Sequence, residues 1–135
     1  MQIIEITDSE FVSQFENTTL NKIHFNHKGH LRLAWIYLNT YPFDKALELI
    51  CLGIEQYAMS LGANDKFNVT ITQALMHIMK LRLDQNWLQD FQAFANANED
   101  LFLDSFTVLT QYYSKNILYS DLAKSTFVSP DKCKF

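Results

Sequence analysis

Apolar residues recur every three or four positions along most of the chain, which is the period of one face of an α-helix. The clearest stretch begins at Asn26, ends before Pro42 and carries the apolar stripe Leu31, Ala34, Trp35 and Leu38. Glycine and proline are rare, with three and two copies, so little of the chain favours loops. The pattern predicts an all-α fold, a single compact bundle of about five or six helices.

Capping residues and helix breakers predict where these helices begin and end. Thr7 and Glu10 have the spacing of a capping box, Asn26 is a favourable N-cap, and Gly62 suits a left-handed C-cap. Residues 67–72 alternate like a strand, but Thr70 and Gln73 have capping-box spacing, which favours a helix start at 68–70. The predicted helices span 7–17, 26–41, 43–61, 68–84, 86–95 and 99–113, followed by one or two helical turns and an extended end.

Length and charge restrict the class of protein. At 135 residues the chain fits one domain, 1–135, which can bury a core without disulfides. The net charge is −4 and the eleven Lys and Arg residues are scattered, so no nucleic-acid partner is expected. The N-terminus lacks the pattern of a signal peptide and no run of about 18 apolar residues occurs, which predicts a cytoplasmic protein without a membrane span. Cys51 and Cys133 are too far apart in sequence to suggest a zinc motif.

His27 and His30 are the candidate chemical groups. They are three residues apart in a predicted first helical turn, so both side chains lie on one face. Imidazole is a good ligand for transition metals and a general acid or base near neutral pH, so both roles are open. An ordinary helix start with two polar side chains is the third interpretation. The positive end of the helix dipole disfavours a cation and keeps imidazole neutral.

A second predicted helix start carries Asn68, Thr70 and Thr72. If the two helix starts meet in the bundle, they form a small polar pocket suited to a carboxylate or phosphate. Trp35 is a candidate pocket wall and is expected to be largely buried against the third or fourth helix. Glu16 is the candidate acidic partner. His77 is surrounded by apolar residues and is expected to be a core or interface histidine.

Three segments of the chain, taken in order, resemble a family of small all-helical bacterial proteins of unassigned function. The segments are FNHKGHLRLAWIYL, KFNVTITQAL and YYSKNIL…STFVSPD, and the resemblance spans residues 15–131. In that family the position of Asn68 is usually histidine, preceded by an aromatic residue and a lysine, here Phe67 and Lys66. The resemblance therefore implies that His27, His30 and position 68 form one site. Asn68 is a poor substitute for imidazole at zinc or iron.

These observations predict a small-molecule-binding helical protein. His27 and His30 serve as recognition or acid/base groups, with Asn68, Thr70 and Thr72 opposite them. One alternative is a non-catalytic homodimeric interaction module. Another is a metalloprotein that holds a divalent transition metal with His27, His30 and either Glu16 or an outside ligand.

Overall fold

A computed structural model describes residues 6–63, 67–87 and 90–135, and these residues confirm the predicted all-α fold. They contain no strand, one short 3-10 helix at Lys22–His24, and nine α-helices. The α-helices are α1 Asp8–Glu16, α2 His27–Thr40, α3 Phe43–Ser60, α4 Val69–Gln85, α5 Phe91–Ala97, α6 Glu99–Leu103, α7 Ser105–Leu109, α8 Lys115–Leu118 and α9 Asp121–Ser125. No α-helix in the described ranges is long and apolar enough to cross a membrane.

The three long helices α2, α3 and α4 contact one another and form the centre of the bundle. The apolar stripes of these helices bury Leu31, Ile50 and Ile78, each at most 2% exposed. Of the stripe predicted for α2, Leu31 and Ala34 are buried, whereas Trp35 and Leu38 are half-buried. Helix α1 packs on α3, and α9 packs on α4. Helices α6 and α7 contact α2 and α4 respectively. The short helices therefore cover the central layer, and α6 and α7 lie beside both helices that carry the candidate residues.

The predicted caps of the first three helices are confirmed. Thr7 and Glu10 form the capping box of α1, and the Asn26 side chain accepts a hydrogen bond from the Gly29 N–H at 2.9 Å. Gly62 has φ +70°, and the N–H of Ala63 donates to the carbonyl of Ala58, which closes the end of α3 in a Schellman arrangement.

The predicted start of α4 at 68–70 is confirmed, but its cap is Asn68 rather than Thr70, because the Asn68 side chain accepts from the Ile71 N–H at 2.9 Å. Two later helix boundaries differ from prediction. Helix α5 begins after Asp90 instead of Asn86, since the Asp90 carboxylate accepts from the Ala93 N–H at 2.7 Å. The helix predicted over 99–113 is divided at Asp104, whose side chain starts α7 by accepting from Thr107. Predicted loop residues 64–66 lie outside the described ranges.

The predicted short turns and extended C-terminal end are confirmed, and the end is fastened to α4. Thr70 is fully buried, and its hydroxyl donates to the Thr126 carbonyl at 2.9 Å. The same oxygen accepts from the Val128 N–H at 3.1 Å. Farther along, the Lys132 N–H donates to the carbonyl of Tyr112 at 2.9 Å. Thr70 therefore supplies two of the hydrogen bonds that link α4 to the C-terminal segment.

Thr70→Val is expected to lower the free energy of unfolding by about 1–3 kcal/mol, because it removes two hydrogen bonds, each of which contributes about 0.5–1.5 kcal/mol. Thr72→Val is the matched control on the same helix, since the described residues give the Thr72 hydroxyl no hydrogen-bond partner. Denaturant unfolding of the two variants measures the difference. Equal losses would show that the contact of Thr70 with the C-terminal segment contributes little.

Candidate functional site

The N-terminal ends of α2 and α4 meet at a cavity of about 240 Å³. Five polar residues line it, namely His27, His30, Asn68, Thr72 and Ser105. The remaining eight lining residues are apolar and come from α2, α3, α4 and Phe67 just before α4. The structure thus brings together four of the residues predicted for one pocket, and it places them at two helix starts as expected.

The local sequence sets the two histidines at the first and fourth positions of α2. The Asn26 cap fixes the start of the helix, so both side chains occur on the cavity face. The His27 ring extends to α6, and its Nε2 lies 2.8 Å from the carbonyl oxygen of Leu101. Because a carbonyl only accepts, Nε2 carries the hydrogen and donates it. His27 is otherwise exposed and stands at the mouth of the cavity.

The His30 ring is half-buried and lies deeper. It packs on the Phe25 ring in an edge-to-face arrangement, with the two ring centroids 4.0 Å apart and the ring planes at 90°. No described residue forms a hydrogen bond with its nitrogens. Burial, assisted by the neighbouring His27, lowers the pKa of His30 from 6.5 to about 4. At neutral pH the ring is uncharged and offers the cavity one N–H donor and one nitrogen acceptor.

Asn68 shapes the cavity through its role as the cap of α4. Its oxygen accepts from Ile71, and its amide nitrogen donates to the carbonyl of Leu118 at 3.1 Å. Both ends of the side chain are therefore engaged within the protein. Asn68 joins α4 to α8. The hydrogen-bonding capacity that remains in the cavity lies with His30 and with the hydroxyls of Thr72 and Ser105, which have no hydrogen-bond partner among the described residues.

Three residues predicted for the pocket lie elsewhere. Thr70 points to the C-terminal segment, as described above. Glu16 accepts a hydrogen bond from the hydroxyl of Tyr37 at 2.9 Å, and this contact adds to burial in raising the pKa of Tyr37. Trp35 is half-buried rather than largely buried, and its ring lies 6.0 Å from that of Phe91 of α5. One position after Ala34, it lies about 100° around the helix, which turns it away from the cavity.

Sequence reasoning missed three contributors to the site. Phe25, which packs on His30, lies inside the histidine segment and could have been recognised as a flanking aromatic residue. The Leu101 carbonyl and Ser105 come from α6 and α7, more than seventy residues along the chain from His27. No local pattern marks a main-chain carbonyl or a single serine as a partner of a distant helix.

The side chains do not assemble into a metal centre. Among the described residues, no group of three His, Cys, Asp or Glu side chains is placed to hold a metal ion. Glu16 is engaged with Tyr37, and His27 already donates from Nε2. Lys66, which belongs to one of the resembling segments, lies outside the described ranges. Within the described chain, the two histidines remain a pair without the third ligand that tight zinc binding needs.

His77 lies apart from the cavity, among aromatic rings. It stacks on Phe135 with centroids 4.6 Å apart, and it also contacts Phe127 and the edge of Phe43. Burial lowers its pKa. This packing matches the expectation of a core histidine.

Stability is expected to fall as the pH decreases from 6.5 towards 4. In that interval the unfolded chain takes up a proton at His30 while the folded chain does not, so protonation favours unfolding. The loss has an upper bound of about 3 kcal/mol, since each pH unit between the two pKa values contributes about 1.4 kcal/mol. His77 acts in the same direction.

Denaturant unfolding at several pH values tests this expectation, with His30→Leu as the comparison. The variant should show a shallower decline than the parent, and NMR titration of the parent should give the low pKa of His30 directly. A measured pKa near 6.5, or identical pH slopes, would contradict the environment described for this ring.

Comparisons with protein-family models, with curated proteins and with solved structures each return no match. They neither support nor oppose the resemblance drawn from the three sequence segments, and that resemblance stays a prediction. Functional inference for this chain therefore rests on the cavity and its residues.

Proposed function

We propose that the protein binds a small organic molecule in the cavity between α2, α3 and α4, with His30 as the principal polar contact. One observation carries this proposal. His30 is a half-buried imidazole that lines an otherwise mainly apolar cavity and has no hydrogen-bond partner among the described residues. A ligand that supplies a hydrogen-bond partner to this ring gains both affinity and a fixed orientation in the cavity.

The remainder of the wall supports binding of an apolar body. Ile50 and Ile54 of α3 line the cavity together with Ile71 and Leu75 of α4. Ligand pockets combine walls of this kind with a few convergent polar groups. The volume of about 240 Å³ lies below the roughly 300–1,000 Å³ of pockets that hold drug-sized ligands, which favours a small molecule.

Binding is better supported than catalysis. A general base is most effective when its pKa lies near the working pH, whereas the pKa of His30 is lowered to about 4. His27 uses Nε2 to hold the Leu101 carbonyl. The pair therefore suits recognition, with His30 inside the cavity and His27 fixing α6 at its mouth.

A fragment screen followed by amide NMR tests the proposal. Binders should shift the signals of Leu31, Ile54 and Ile71 together. Ala34→Leu should abolish those shifts, because Ala34 lines the cavity and the larger side chain fills it. Ala97→Leu is the control, since it adds the same side chain at an exposed position of α5. If no fragment maps to the cavity, or if both variants behave alike, the proposal fails.

Homodimerisation is the second candidate function, and exposed apolar side chains near the C-terminal end of the bundle favour it. Leu103 is 82% exposed, Leu122 63% and Tyr119 59%, while Phe106 stacks on Tyr119 with centroids 6.2 Å apart. Phe106 and Tyr119 are neighbours on this surface, and adjoining exposed apolar side chains mark interaction surfaces more often than scattered ones. Light scattering at high micromolar concentration should detect a dimer that the double variant Leu103→Lys/Leu122→Lys dissociates. A strict monomer excludes this candidate.

A further inference from the structure

The charges around the cavity restrict what it can bind. None of the described residues that line it is Asp, Glu, Lys or Arg. Arg32 of α2 instead lines a separate surface depression, where it pairs with Asp8 at 2.7 Å and also donates to the carbonyl of Ile6. Lys28 lines that same depression. The described cationic side chains of α2 are thus placed away from the cavity.

The two helix starts do not replace the missing cation. The side-chain oxygens of Asn26 and Asn68 already occupy the N–H groups of Gly29 and Ile71. The partial charge of a helix end stabilises an anion only modestly, whereas an ion buried without a partner is strongly disfavoured. An anionic group that enters this cavity would therefore lose more hydration free energy than its interaction with the two helix ends provides.

His30 sets the complementary group. A neutral imidazole presents one donor and one acceptor, which match a hydroxyl, a carbonyl or an amide. With a pKa of about 4, only about one molecule in a thousand carries the imidazolium that would pair with a carboxylate at pH 7. The ring packs on Phe25, and this contact helps to fix its orientation in the cavity.

The described residues that line the cavity carry no charged side chain, both caps are occupied, and the His30 ring is unpartnered; from these observations we infer that the cavity takes an uncharged ligand. Its class is a small alcohol, phenol, ketone or amide with an apolar body, in which one hydrogen-bonding group meets His30. This inference rests on the proposed binding function and narrows the class of ligand. It replaces the carboxylate or phosphate to which the pocket predicted from the sequence was suited.

Four probes that share one aromatic ring test the inference. They are toluene, benzyl alcohol, benzoate and benzylamine, titrated into the intact protein at pH 7.5 and followed by amide NMR. Benzyl alcohol is expected to bind at least about tenfold more tightly than either ion, a ratio that corresponds to about one lost hydrogen bond or more. His30→Leu should weaken benzyl alcohol and leave toluene unchanged or tighter.

A second measurement uses only the parent protein and does not depend on how the variant folds. Saturation with benzyl alcohol should leave the pKa of His30 low, whereas a bound carboxylate would raise it by pairing with the imidazolium. Tighter binding of benzoate, accompanied by a raised His30 pKa, would overturn the ligand class while leaving the cavity as a binding site. Failure of all four probes to shift the cavity signals would overturn both.

Discussion

Phe15→Ala is expected to lower the free energy of unfolding by about 3–5 kcal/mol, the usual cost of removing a buried aromatic ring. Phe15 is 1% exposed and packs on Phe25 and Tyr57, with centroids 5.2 and 5.6 Å away. The Phe15 ring also lies against Gly53 of α3, so closely that a Cβ added at Gly53 would overlap the ring. The surrounding helices are held by other contacts and cannot close fully around the space left behind.

The same substitution is expected to alter the site. The Phe25 ring packs on Phe15 and Tyr57, and it also packs on His30. Without Phe15, the Phe25 ring gains room to move and water gains access to His30. The pKa of His30 should then rise from about 4 towards 6.5, because burial is the main cause of its depression.

Phe106→Ala is the control, because Phe106 is 38% exposed and its ring contributes little to the core. Denaturant unfolding gives the stability of each variant, and NMR titration gives the pKa of His30. A loss below about 1 kcal/mol for Phe15→Ala would mean that α1 is not anchored through this ring. If Phe15→Ala is destabilised but the pKa of His30 is unchanged, the packing of Phe15 does not control the burial of His30.

Much of the fold was predictable because local chemistry determines most helix ends. Thr7, Asn26 and Gly62 act through residues three to five positions away, so their roles are readable from the sequence. Asp104 has the same local chemistry as a cap, but the apolar periodicity around it continued and concealed the break. The helical period therefore overestimated the length of a helix wherever a capping residue interrupted an apolar run.

The candidate site was predictable only in part, because a pocket depends on which helix faces which. The i, i+3 spacing placed His27 and His30 on one face, and both line the cavity. Thr70 and Thr72 are two positions apart, so they point in different directions from α4, one to the C-terminal segment and one to the cavity. Such directions depend on how the helices pack, and sequence spacing alone does not determine them.

Gly29→Ala is expected to destabilise the protein by about 1–3 kcal/mol, which reverses the usual sign of this change. In a helix interior alanine is normally favoured over glycine by about 1 kcal/mol. Here the Cβ of an alanine would overlap the main-chain carbonyl oxygen of His24. That carbonyl belongs to the 3-10 helix that leads into α2, so relief requires movement of the backbone rather than rotation of a side chain.

Gly62→Ala is the comparison variant, because it introduces backbone strain without the steric overlap expected for Gly29→Ala. Nothing lies within 4 Å of the Cβ that it would add, but its φ of +70° costs an L-residue about 1–2 kcal/mol. The two variants should therefore lose comparable stability by different causes. Only Gly29→Ala should displace the first turn of α2, change the His30 signals and weaken binding of benzyl alcohol. If Gly29→Ala is as stable as the parent, the start of α2 does not approach His24 this closely, and the glycine in the histidine segment has no steric role in placing His30.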